Sequence, residues 1–86
     1  MKICLQSGSN SREFSSGGQS LHDPGSLLLV TARFSGDNQT ATVGFQEKNA
    51  LGYGQNRTIA EVPISRESPT ASHTYCGITA SATISE

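Results

Sequence analysis

From Ser72 to Glu86 the chain alternates. Cys76, Ile78, Ala80, Ala82 and Ile84 share one parity, while Thr74, Thr79, Ser81 and Thr83 fall largely on the other. A period of two is the mark of a β-strand with one apolar and one hydroxyl face. The stretch carries no Lys, Arg, Asp, Glu or Pro before Glu86, so it lacks the residues that ordinarily blunt a sheet edge. A strand of this kind is expected to be paired, either inside its own sheet or with another chain.

The rest of the chain repeats the message. No window places apolar residues at helical spacing between caps, and Gly, Ser and Thr interrupt throughout. Lys2 to Gln6 reads as a first strand with Ile3 and Leu5 on one face. Leu27 to Phe34 reads as the central strand, with Leu28, Val30, Ala32 and Phe34 inward and burial on both faces near Leu27 to Val30. Gly36-Asp37-Asn38 is a hairpin turn, returning through Thr40 to Gln46 with Ala41, Val43 and Phe45 inward. Arg57 to Ile64 puts Ala60, Val62 and Ile64 on the core side, and Pro63 pushes that strand to a sheet edge. The expected fold is all-β, a small antiparallel β-sandwich or barrel of five to six strands.

Ser7 to Ser26 is the exception, because eleven of its twenty residues are Ser or Gly. Such a tract reads as a partly ordered loop or arm, pinned by Phe14 and Leu21, with a short strand around Arg12 to Ser15. Asp23-Pro24-Gly25-Ser26 has the composition of a type II turn. At 86 residues the chain is expected to form a single β domain over 1–86 with a modest core.

Charge excludes some functions. Six basic residues are dispersed among seven acids, for a net charge of −1. Phosphate binding draws its affinity from clustered positive charge, so no nucleic-acid partner is expected. The longest apolar run, Leu27 to Val30, is far too short to insert in a membrane as a helix. No signal peptide is visible, since the apolar stretch after Met1-Lys2 stops at Leu5. The Ser/Thr/Gly/Ala composition with only two Lys suits a virion or an extracellular module.

Catalytic and metal chemistry find little support. His73 and Cys76 form H-x-x-C, but on a strand residues three apart point to opposite faces, so no metal site is expected. No G-x-S-x-G elbow, phosphate loop or calcium loop occurs, and no catalytic residue or cofactor is expected. Cys4 and Cys76 sit near opposite ends of the chain, and a disulfide between them could stabilise by about 4–5 kcal/mol. Parity argues against it, since Cys4 points away from Ile3 and Leu5 while Cys76 points with Ile78. Two buried free thiols are the favoured alternative.

The leading expectation is a non-enzymatic assembly protein, such as a virion coat or decoration subunit or an extracellular fibre subunit. It would join copies of itself, or another structural protein, by strand pairing and apolar packing. Its candidate interface is Thr74, Thr79, Ser81 and Thr83. One alternative is a small carbohydrate- or ligand-binding module using Tyr53 in the Gly52-Tyr53-Gly54 loop, where an aromatic ring could stack on a sugar. Another is a secreted inhibitor or toxin-like domain that uses the long first loop as its contact surface.

Overall fold

A computed structural model describes residues 1–23, 27–48 and 56–86. Among the described residues eight strands run in order: β1 (Lys2–Ser7), β2 (Asn10–Phe14), β3 (Gly18–His22), β4 (Leu28–Phe34), β5 (Ala41–Glu47), β6 (Arg57–Ile64), β7 (Thr70–Tyr75) and β8 (Ile78–Ser85). They form two antiparallel four-stranded sheets of order β2-β1-β8-β7 and β3-β4-β5-β6. The architecture is a sandwich and not a closed barrel, with eight strands in place of the expected five to six. Among the described residues no helix is long and apolar enough to cross a membrane.

Two segments account for the extra strands. The Ser/Gly tract holds both β2 and β3, where a partly ordered loop with one short strand was expected. Each is an edge strand with a single large apolar side chain, Phe14 or Leu21, so neither shows alternation in sequence. A tight Gly8-Ser9 turn joins β1 to β2, and Gly8 supplies the positive φ (60°) at its first position. Near Gly17, at φ 71°, the chain passes from one sheet to the other.

The terminal alternation is a hairpin and not one long strand. Cys76 and Gly77 take φ of 52° and 81° and form a two-residue turn between Tyr75 and Ile78. Positive φ at both positions is the primed geometry that matches strand twist. The two-residue turn shifts the inward face by one position, from odd numbers on β7 (Ala71, His73, Tyr75) to even numbers on β8 (Ile78, Ala80, Ala82, Ile84). Gly77 suits such a turn, but cysteine is not a customary residue for the left-handed region, so Cys76 does not mark it.

The core lies between the sheets. Ile3, Leu5, Ala71, Ala80, Ala82 and Ile84 face Leu28, Val30, Phe34, Val43, Phe45 and Ile64. Small side chains on β7 and β8 leave room for bulk opposite, and Phe45, fully buried, stacks on His73 at a centroid distance of 5.5 Å. The central hairpin matches expectation, with Leu28, Val30, Ala32, Phe34, Ala41, Val43 and Phe45 all buried. Burial on both faces near Leu27 does not occur: Leu27 precedes β4 and is 41% exposed, and Leu29 is half-buried on the outer face.

Pro63 lies on an edge strand, as expected, because β6 closes one side of its sheet. A bulge opposite Phe45 and Gln46 skips Ile59 and brings it into contact with the core, beside Ala60.

One polar atom is misplaced energetically. Ser7 shares the inward parity of Ile3 and Leu5, is fully buried, and its hydroxyl has no hydrogen-bond partner among the described residues. An unsatisfied buried hydroxyl costs about 1–3 kcal/mol. Ser7→Ala is therefore expected to raise stability by about 1 kcal/mol, read as a higher urea midpoint at unchanged slope. A lowered midpoint would show that the hydroxyl is satisfied in solution.

Candidate functional site

The two long sides of the sandwich differ. At one, β2 lies over β3 and the gap is sealed by Phe14 and Arg12. Phe14 packs edge-on against Phe34, with centroids 5.6 Å apart. Arg12 shares the inward parity of Leu5, and its guanidinium reaches β3, donating to the Ser20 carbonyl at 2.9 Å and the Gln19 side-chain oxygen at 3.4 Å. An inward-pointing charge that occupies an outward carbonyl blocks strand addition at both edges.

On the other side β7 lies against β6. The β6 edge is blunted by Pro63, Glu61, Arg57 and its bulge, but β7 (Thr-Ala-Ser-His-Thr-Tyr) contains no Lys, Arg, Asp, Glu or Pro and no bulge. Val62 on β6 is left 36% exposed at this lip. A polar tie closes one end: the Tyr75 hydroxyl donates to Glu47 on β5, and Glu47 also accepts from Arg57 Nε at 3.2 Å.

Hydrogen-bond phase determines what β7 presents. Ile84 N donates to Pro69 O at 2.8 Å, so the paired positions 71/82, 73/80 and 75/78 lie in the same phase and bond within the hairpin. The intervening residues Thr70, Ser72 and Thr74 turn their N–H and C=O groups outward, along the open edge. Their side chains are closest to β8 at the same positions, because non-bonded pairs approach to about 4.5 Å. Thr70 and Thr83 hydroxyls are 3.3 Å apart, and those of Thr74 and Thr79 are 2.9 Å apart.

The four expected interface residues thus share one outer face, but only Thr74 also stands on the open edge. Thr79, Ser81 and Thr83 belong to β8, whose backbone is paired on both sides by β1 and β7, and they offer hydroxyls alone. Sequence reasoning missed Thr70 and Ser72. Their alternation with Ala71 and His73 was visible, but which strand stands at the edge depends on where β1 docks.

The other expected sites disperse. Cys4 and Cys76 are free thiols. Cys4 sits opposite Thr83 and Cys76 lies beyond Ile78 at the hairpin tip, which separates them by about 17 Å along the strands, too far for a disulfide. Cys4 is half-buried and Cys76 exposed, so neither is a buried thiol. His73 is half-buried against Phe45, and no group of three metal-ligating side chains gathers among the described residues. Tyr53, with Gly52 and Gly54, and Pro24 to Ser26 of the expected type II turn lie outside the described residues.

Electrostatics at the β5–β7 tie make it pH-dependent. The Tyr75 hydrogen bond, aided by the Arg57 hydrogen bond and charge, holds the Glu47 carboxyl below its ordinary range, and the same carboxylate raises Tyr75. A depressed carboxyl stabilises the fold above its unfolded-state pKa, and that contribution is lost as pH falls through the folded value. A raised phenol contributes below its unfolded-state pKa and loses the contribution as pH rises through its folded value. The melting temperature of the native chain is expected to fall at both extremes, and Glu47→Gln is expected to flatten the acid limb. An unchanged acid limb would assign the tie no role in stability.

Comparisons with family models, with curated proteins and with solved structures gave no match.

Proposed function

We propose that this chain is a non-enzymatic assembly subunit, of the kind that builds or decorates a virion coat or an extracellular fibre. Copies join by strand addition at β7. The observation that carries the reading is the contrast among the four sheet edges: β2, β3 and β6 carry charges, a capping guanidinium, a proline or a bulge, while β7 carries none. Proteins ordinarily protect their edges against unwanted pairing, so a lone unprotected edge is suited to a wanted one.

The edge is self-complementary. Thr70, Ser72 and Thr74 read alike in both directions, so antiparallel pairing about Ser72 sets each threonine against a threonine of the neighbour. Three hydrogen-bonded positions would exchange about six backbone hydrogen bonds. Val62, at the lip beneath β7, supplies apolar surface to the same contact. No charge opposes the approach of two copies along β7.

Sedimentation velocity from micromolar to millimolar chain concentration tests the reading. Dimers or larger species that dissociate on dilution are expected. A monomer over the whole range overturns it.

A further inference from the structure

A second feature lies on the opposite face of the molecule from the hydroxyl rows. The outer surface of the β3-β4-β5-β6 sheet is hollowed into an open groove of about 680 Å³. Its floor is Gly44, a buried position with no side chain, flanked by Thr31 and Thr42. A β-carbon on Gly44 would stand 2.9 Å from Thr31 Oγ1, and that hydroxyl donates to the Gly44 carbonyl at 3.4 Å. The glycine is what keeps the floor open.

A second glycine shapes the wall. A β-carbon at Gly18 would lie 3.4 Å from Arg33 Nε, so the arginine folds back over the place where a side chain would otherwise stand. Glu61 rises from β6 on the other side, two strands (about 9.5 Å) across the sheet from Arg33 and two residues (about 7 Å) along it. Neither side chain makes an ion pair among the described residues. Gln46 adds a planar amide.

We infer that this groove binds a neutral oligosaccharide. The one positive and one negative wall cancel, which gives no preference to a polyanion. The lining residues bring hydroxyls, an amide, a guanidinium and a carboxylate, with no large apolar side chain among them. A lipid or an apolar peptide side chain would therefore find nothing to bury against. A chain of sugar hydroxyls, each both donor and acceptor, matches groups of this kind at every position. Arg33 and Glu61 are the bidentate anchors, donor on one wall and acceptor on the other. With no ring to stack on, affinity rests on hydrogen bonds exchanged with water and is millimolar.

The test is a titration of the uniformly ¹⁵N-labelled chain with maltohexaose, cellohexaose and chitohexaose, followed by amide shifts. At least one sugar is expected to shift Thr31, Thr42, Gly44 and Glu61 saturably. Arg33→Ala and Glu61→Gln, both exposed positions that preserve the fold, are expected to weaken binding about tenfold each, the loss of one charged hydrogen bond. Ser11→Ala on the far sheet leaves binding unchanged. Absence of shifts with all three sugars, shifts that survive both groove variants, or the same shifts produced only by an acidic polymer or a peptide overturn the inference. Because β7 is not involved, the outcome is independent of the assembly reading.

Discussion

Truncating Phe45 to alanine is expected to cost about 3–5 kcal/mol, the largest loss available from one core side chain here. The reason lies in what surrounds the ring. Phe45 is fully buried, stacks on His73, and belongs to a core whose facing sheet presents Ala71, Ala80 and Ala82. Alanines fixed in a hydrogen-bonded hairpin cannot expand into the space, so the cavity stays open and the cost sits toward the upper end of that range. A domain of this size has a total stability of only about 5–10 kcal/mol, so the variant is expected to be partly unfolded at 37 °C. Urea denaturation by circular dichroism checks this, and Phe45→Leu, which keeps most of the volume, should lose only about 1 kcal/mol. A small loss in the alanine variant would mean that the sandwich closes over the gap, and that the alanine layer is softer than its pairing implies.

Two neighbouring prolines are expected to behave in opposite ways. At Ser72 the backbone N–H points out of the sheet, so Ser72→Pro removes no bond within the chain and should cost about 1 kcal/mol or less. The same substitution deletes the central donor of the open edge and places a ring across it, so self-association should fall below detection. At His73 the N–H points into the hairpin toward Ala80, and the side chain stacks on Phe45. His73→Pro is expected to cost about 3 kcal/mol or more, with loss of the native fold before any effect on assembly can be read. Melting curves and sedimentation on the pair separate an edge-pairing role from a merely structural one. If Ser72→Pro still assembles, the contact lies elsewhere, and the hydroxyl face shared by Thr74, Thr79, Ser81 and Thr83 becomes the surface to probe.

The inward faces were legible because alternation needs only one buried side. Leu28 to Phe34 and Ala41 to Phe45 carry that pattern plainly, and so do Ile3 and Leu5. Edge strands hid from the same reading. β2 half-buries Phe14 and β3 buries Leu21, and both otherwise present Ser, Gly and polar groups, a composition shared with loops. One of the three edge residues of the candidate site was legible: Thr74 was found, while Thr70 and Ser72 were not.

The alternation from Ser72 to Glu86 shows the division most clearly. Sequence alone determined that these residues are β, that one face is apolar and the other hydroxylated, and that no Lys, Arg, Asp or Glu guards them before Glu86. Tertiary structure decided where the chain turns back, at Cys76-Gly77, and which half meets β1. Side-chain periodicity reports the face a residue occupies, and a two-residue turn shifts that pattern by a single position. It carries nothing about the in-plane direction of N–H and C=O groups, which depends on which strand docks alongside. That docking buried the backbone of β8 and left that of β7 open.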